Sequence, residues 1–388
     1  MILIIICIIQ PQKNDSIIKC INNLDWELEN ANTRYLTHGY HTYSSKYIPQ
    51  VPYYLISKLS RKNDLILDNF MGSGTTLVES KILDRNAIGI DINPLACLIS
   101  KVKTTNIKQP ELERISRIAI SIKEDILNLR DNSNNNYLLT GTLHPNIPKW
   151  FNESVIHELL IIKSRIDPIE QIDDKNFLMV AFSSILRGVS NAANGFGNLM
   201  ISKQTKVKLK NAVYEKFYRE VTIMIERMKQ FNQTATNSNI KILNHDTRDL
   251  GSILKDQTID FICTHPPYMA SVPYAEYQKL SLWWLGFNQP LLEKKLIGGQ
   301  RTRTDMPERF FRDMRLTLAQ MKLVLRREKY CSIVIGNPIY NGKTWELNKY
   351  IKKEAVDLGF AFLKEIVRGR HRSTMGKMKQ EFILIFKN

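Results

Sequence analysis

The run Asp68-Asn-Phe-Met-Gly-Ser-Gly-Thr-Thr76 narrows the possible folds more than any other part of the chain. The apolar stretch Asp64–Leu67 before it reads as a strand, and Asn69–Gly74 as a glycine-bearing turn. A helix is predicted to start over Thr75–Leu83, and Asn86–Asp91 (NAIGID) reads as a second strand. Strand alternating with helix predicts an α/β domain built on a parallel sheet. The glycines let a ligand approach the backbone, and a helix N-terminus offers free N–H groups. No Gly-Lys-Ser/Thr follows, so this is not a phosphate-binding P-loop, and the full GxGxxG dinucleotide fingerprint is also missing. Asp91 stands 17 residues after Gly74, at the end of the second strand. An acid in that place binds ribose hydroxyls, which points to a nucleoside-containing cofactor.

Three stretches follow from periodicity. Residues 1–104 carry the glycine turn. Residues 105–240 read as mostly helical, with apolar residues at three- and four-residue spacing over Leu112–Leu129, Glu153–Ile166, Phe177–Ser190 and Ala212–Phe231. Ser190–Asn198 and Asp131–Asn136 read as loops. Residues 241–388 resume the α/β pattern. Strands are expected at Ile240–Leu243, Thr258–Cys263 and Cys331–Ile335, with a helix over Arg309–Arg327. Phe360–Val367 and Glu381–Phe386 are predicted to form a closing antiparallel hairpin. The helical middle therefore reads as a large insertion into one α/β domain.

The 388 residues carry a formal net charge of +17, and residues 291–388, with 22 Lys+Arg against 10 Asp+Glu, supply +12 of it. Such a surplus points to a polyanionic partner, nucleic acid before membrane, or to a solvated lysine-rich surface. The five cysteines, Cys7, Cys20, Cys97, Cys263 and Cys331, form no CxxC pair. Neither a disulfide framework nor a zinc site is indicated, and reduced thiols in a cytoplasmic protein are expected. The apolar start Met1–Ile9 is too short to span a bilayer and lacks the marks of a signal peptide; it reads as a strand.

A second motif, Thr264-His-Pro-Pro-Tyr268, directly follows the strand Ile259–Cys263. Two prolines cannot continue a central strand, so the chain must leave the sheet there in a rigid, extended form. Ligands of α/β proteins bind at the carboxyl ends of such strands.

Together the two motifs resemble those of the S-adenosylmethionine-dependent DNA amino-methyltransferases, the N4-cytosine and N6-adenine family of restriction-modification systems. In that family the glycine motif reads Asp-Pro-Phe-x-Gly-Ser-Gly-Thr-Thr, and only Asn69 departs from it here. The catalytic tetrapeptide is Asp, Asn or Ser followed by Pro-Pro-Tyr, matched by Pro266, Pro267 and Tyr268 but not by His265. His41–Gln50 is similar to the family's upstream cofactor segment, which singles out Lys46 and Pro49. Asp246, in Asn244-His-Asp246, occupies the place of the residue that meets the cofactor's adenine. The stretch Tyr277–Gly286 also resembles the family's. The resemblance implies a Rossmann-like methyltransferase sheet, S-adenosylmethionine as cofactor and double-stranded DNA as substrate. It further implies a companion restriction endonuclease, and no metal. Cofactor residues by the same carry-over are Lys46, Pro49, Asp68, Phe70, Gly72, Gly74, Thr75, Asp91 and Asp246.

By that resemblance, His265 and the carbonyl of Pro266 accept the amino hydrogens of a flipped base while Tyr268 stacks on it, which localises the nitrogen lone pair toward the methyl donor. A neutral imidazole has one acceptor nitrogen and loses it when protonated. N4 of cytosine is favoured over N6 of adenine, because Lys279–Gly286 resembles the Ser-Pro-Pro-Tyr branch. C5-cytosine transfer needs a Pro-Cys nucleophile, and no cysteine here follows a proline. Target recognition is expected in the helical middle and in the loop Gln289–Met306 with Arg301 and Arg303; Lys203, Lys206, Lys208 and Lys210 form a second basic run, expected to meet phosphates rather than bases. The basic segment Arg368–Gly376, with Arg368, Arg370 and Arg372, is expected to meet phosphates or base edges. An RNA methyltransferase and a DNA-binding relative silenced by His265 are the alternative readings.

Overall fold

The structure, a computed structural model, describes residues 19–44, 46–131, 143–193, 199–202, 212–269, 273–299, 303–369 and 380–388. Its centre is a seven-stranded sheet. The strands are β1 (Leu65–Asp68), β2 (Asn86–Asp91), β3 (Ile240–Asn244), β4 (Ile259–Thr264) and β5 (Leu325–Gly336), followed beyond a small β6–β7 hairpin (Ile339–Tyr340, Lys343–Thr344) by β8 (Ala361–Gly369) and β9 (Gln380–Lys387). Their order is β3-β2-β1-β4-β5-β9-β8. The first five run parallel, and β9 lies antiparallel between β5 and β8. Ile259–Thr264, mostly apolar and buried along its whole length, is the kind of strand that a sheet covered on both faces requires.

Among the described residues nine longer helices accompany the sheet: α1 (Gln50–Leu59), α2 (Thr75–Ile82), α3 (Pro94–Thr104), α4 (Gln109–Asp131), α5 (Glu153–Ile166), α6 (Ile172–Val189), α7 (Ala212–Thr234), α8 (Met306–Val324) and α9 (Leu347–Asp357). One sheet face packs on α8 and α9 through Phe310, Met314, Leu318 and Ile351. The other packs on α1 and α2 through Val51, Leu55, Ile56 and Leu77. Helices α4 to α7 lie within the crossover from β2 to β3. Their apolar faces join α3 and the indoles of Trp283 and Trp284 in a further core.

The chain winds outward from β1 in both directions, toward β2 and β3 on one side and toward β4 and β5 on the other. The crevice beyond the carboxyl ends of β1 and β4 is the topological switch point where open α/β sheets bind ligands. Two motifs nearly 200 residues apart meet there, because β1 and β4 are hydrogen-bonded neighbours with Leu67 opposite Ile262.

Several expected elements occur with little change; α5 spans Glu153–Ile166 and β2 spans Asn86–Asp91. The helix expected to reach Arg327 ends at Val324, and strand β5 begins at Leu325 rather than at Cys331. Leu325 turns extended and pairs with Ile259, and the Arg326 guanidinium reaches Asp260 on the neighbouring strand at 2.8 Å. Helix and strand abut without a loop, so no turn residue marks the change. The readings on Met1–Ile9, on Lys203, Lys206, Lys208 and Lys210, and on Arg301, Arg370 and Arg372 lie outside the described residues, as do most of the two predicted loops. Among the described residues no helix is long and apolar enough to cross a membrane.

Candidate active site

A cleft of about 780 Å³ opens at the switch point. Of the residues expected at a cofactor site, Lys46, Phe70, Gly72, Thr75, Asp91 and Asp246 line it. His265 and Pro267 border it from the catalytic tetrapeptide.

The glycine turn is shaped by its backbone. Gly72 and Gly74 have φ of +49° and +77°, which a side chain strains. A Cβ on Gly74 would stand 2.8 Å from the Ser100 hydroxyl and 3.2 Å from the Ser100 Cα, so α3 passes against the turn. That helix also clamps the turn from below. Ser100 donates to the Gly72 carbonyl, and the buried Lys103 ammonium donates to that of Ser73, each at 2.9 Å.

Asp91, at the end of β2, accepts from the Gly72 N–H at 2.9 Å and from the Asn93 N–H at 2.8 Å. Burial pushes its carboxyl up to about 6, against those two hydrogen bonds. Asp246 follows β3 and caps the short helix Thr247–Ser252; it accepts from the Arg248 backbone and guanidinium. Burial raises this carboxyl, but the Arg248 bonds outweigh it and hold it below the usual carboxylate range. Lys46 donates to the His38 carbonyl at 2.8 Å, and burial, with Arg34 and Arg227 nearby, lowers it to about 8.

Asp68 stands behind the cleft wall rather than in it. Its buried carboxylate accepts from the Phe70 N–H at 3.1 Å, from Thr76 at 2.5 Å and from Thr264 at 2.8 Å. One side chain thus fastens the glycine turn to the residue before His265. Burial pushes it up to about 6 in spite of these bonds. Pro49 is the N-cap residue of α1, and Gly74 that of α2; neither lines the cleft.

His265 lies between two tyrosines. Its ring centroid is 4.9 Å from that of Tyr47, tilted by 31°, and 5.2 Å from that of Tyr268, nearly perpendicular. The Tyr47 hydroxyl bonds Thr76. His265 Nε2 is 2.6 Å from the Tyr268 hydroxyl, which donates to Glu381 at 3.2 Å. Tyr268 is itself buried and does not line the cleft, and Pro266 is also buried.

Two arginines expected to meet DNA have partners within the protein. Arg368 is buried, donating to Glu381 at 2.9 Å and to the Trp26 carbonyl at 3.1 Å, because its side chain turns inward beneath the hairpin. It does not present a charge to a phosphate here. Arg303 is exposed and forks onto Asp305 at 2.8 and 2.9 Å.

The sequence reading missed Tyr43, Tyr47, Asn69, Asn93, Thr247 and Lys295, which also line the cleft. Asn93 was accessible to it. An Asn before Pro94, just after a strand, is an N-cap signature, and its side chain does accept from the Leu95 N–H. Tyr43, Tyr47 and Asn69 lie inside the two cofactor motifs, but only the fold shows that they face the cleft; Thr247 and Lys295 are marked by no local pattern.

Residues 13–102 match the DNA methylase family of N6- and N4-methyltransferases. The type II methyltransferase M.MvaI of Kocuria varians is 34% identical over 66% of this chain and 59% of its own. M.MjaII of Methanocaldococcus jannaschii is 38% identical over 28% of this chain and 22% of its own. The chain thus spans about three fifths and about one fifth of the lengths of these two relatives. A SAM-dependent methyltransferase structure from Methanosarcina mazei aligns over 86% of this chain and 96% of its own, at 10% identity and a TM-score of 0.37.

Proposed function

We propose that this chain, which belongs to the family of DNA amino-methyltransferases, transfers a methyl group from S-adenosylmethionine to an exocyclic amino nitrogen of a flipped base in duplex DNA. N4 of cytosine is favoured over N6 of adenine. The observation that carries the reading is the junction made by Asp68, which ties the glycine turn directly to the tetrapeptide across the β1–β4 pair.

The cleft fits such a cofactor. Asp91 offers acceptors to ribose hydroxyls, and Phe70, Ile92 and Ile297 give apolar walls toward Asp246. Asn69, the departure from the family motif, is buried and donates to Thr247 at 2.5 Å. Its Oδ1 has no partner among the described residues, so the lining holds an acceptor that a ligand N–H would satisfy. When bound, S-adenosylmethionine supplies an electrophilic methyl group.

The amino nitrogen of a base is a poor nucleophile because its lone pair is delocalised into the ring. His265 and the Pro266 carbonyl accept its hydrogens, which frees the lone pair for in-line attack; this is catalysis by positioning and preorganised dipoles. Tyr268 packs against the base. Target recognition falls to the helices of the β2–β3 crossover and to the surplus of positive charge, which attracts the DNA backbone. A companion endonuclease completes the proposed restriction-modification pair.

The test is transfer from labelled S-adenosylmethionine to unmethylated duplex DNA, with product nucleosides identified by mass spectrometry. N4-methylcytosine is the expected product. N6-methyladenine would move the target, and no label in DNA beside measurable cofactor binding would overturn the reading. Tyr268→Ala should abolish transfer and leave cofactor affinity nearly intact; equal loss of both would mean that the base site is misplaced.

A further inference from the structure

We infer that Glu381 is a positioning residue that fixes the tautomer of His265, acting through the hydroxyl of Tyr268. This rests on the reading above, in which His265 faces the amino group of the base.

Arg368 and Glu381 are cross-strand partners in the β8–β9 pair. Their side chains form a buried ion pair at 2.9 Å, with the guanidinium also held by the Trp26 carbonyl. A carboxylate paired in this way offers acceptors and no hydrogen. Tyr268 has a single hydroxyl hydrogen, and the bond to Glu381 Oε1 uses it. The phenol oxygen 2.6 Å from His265 Nε2 must then accept, so Nε2 carries the imidazole hydrogen. The lone pair is left on Nδ1, the nitrogen to which an amino hydrogen must be offered. The Tyr47 ring on the other side holds the imidazole plane. The family's Asp, Asn or Ser at this position has an oxygen acceptor in any state; a histidine has one only in the correct tautomer. The C-terminal hairpin supplies the group that selects it.

Glu381→Gln tests this. Arg368 has only donors, so it holds the amide oxygen and turns the amide N–H₂ toward Tyr268. The phenol then gives its hydrogen to His265 Nε2, and the imidazole hydrogen moves to Nδ1. Long-range ¹H–¹⁵N spectra of the full chain labelled in histidine, without cofactor or DNA, read the tautomer directly. The His265 signal is identified by its loss in His265→Asn.

The wild-type protein should show a protonated Nε2 and a lone-pair Nδ1, and Glu381→Gln the reverse. With this, kcat should fall by about 100-fold, the scale on which a misdirected catalytic hydrogen bond acts, while KM for S-adenosylmethionine stays unchanged. Glu381→Asp, which keeps a carboxylate, should restore the wild-type pattern and part of kcat; it also serves if the glutamine variant does not fold. A protonated Nδ1 in the wild-type protein, or the same tautomer in both proteins, overturns the inference. The spectra need no substrate. A chain that leaves DNA unlabelled therefore refutes the proposed function, and a wrong tautomer refutes only the role of Glu381.

Discussion

Glu79→Gln should make this protein more stable, by an amount that grows with pH. Glu79 lies on α2 beneath the glycine turn and is fully buried. Its Oε1 accepts from the Tyr35 hydroxyl and is 2.6 Å from His38 Nε2. Oε2 has no partner among the described residues. The short contact to His38 is what an ion pair would show, but burial moves both groups toward neutrality. It pushes Glu79 up to about 8 and holds His38 well below its ordinary value. An ionised carboxylate with one oxygen buried and unmatched is costly, so the pair is read as neutral, with the acid hydrogen donated to His38.

The sign follows from the raised value. Below about 4.5 both folded and unfolded chains hold the proton, and stability is complete. Between 4.5 and about 8 the unfolded chain ionises while the folded one does not, and each pH unit costs about 1.4 kcal/mol. From pH 5 to pH 8 the loss is on the order of 4 kcal/mol. Glutamine does not ionise. Its N–H₂, standing where Oε1 stands, gives one hydrogen to His38 as the acid did and the other to the Tyr35 oxygen, so at pH 5 the variant should match wild type within about 1 kcal/mol. By pH 8 it should lead by roughly 3–4 kcal/mol. His41 and Lys46, also shifted by burial, titrate in both proteins and cancel in the difference. Denaturant unfolding of both proteins at pH 5, 6, 7 and 8 measures it. A difference that does not change with pH would refute the neutral pair.

Gly74→Ala places a side chain at φ +77° against Ser100 and should lower stability by about 2–3 kcal/mol, with weaker cofactor binding, as measured by denaturant unfolding and calorimetry. Asp91→Asn should weaken S-adenosylmethionine binding by roughly 10–100-fold, the worth of a charged hydrogen bond. Because burial pushes Asp91 up to about 6, wild-type affinity should itself fall as the pH drops through that value, and the variant should show no such fall.

The sheet and its switch point were legible because they are written locally. Apolar runs, the glycine turn and Pro266-Pro267 each fix their own backbone, whereas the order of the strands comes only from the structure. What could not be read lies in pairings across long stretches of chain. Tyr47 reaches His265, Asn69 reaches Thr247, and Glu381 reaches Tyr268 only once neighbouring strands are in register. Arg368 shows the same limit from the other side. Basic composition marks it as a surface charge, and only the strand register shows that it faces Glu381 in the interior. The end of α8 was missed because amphipathic spacing continues into a strand whose first charged residues also point to solvent.

The position of α4 to α7 between two adjacent strands also sets the order of assembly. Strand β2 waits for its neighbour β3 until everything from Ile92 to Asn239 has been synthesised. Closing so long a span costs only about 2 kcal/mol more than a crossover of some fifteen residues, since the penalty grows with the logarithm of length. Folding speed is more sensitive, because distant pairings are slow while helical contacts between near neighbours form early. The helices of the crossover can therefore gather first and bring β2 and β3 within reach, with β4 joining β1 afterwards. On a ribosome β1 and β2 would wait from residue 91 until residue 244 of the 388 has been made, with their strand edges exposed to chaperones and to other nascent chains.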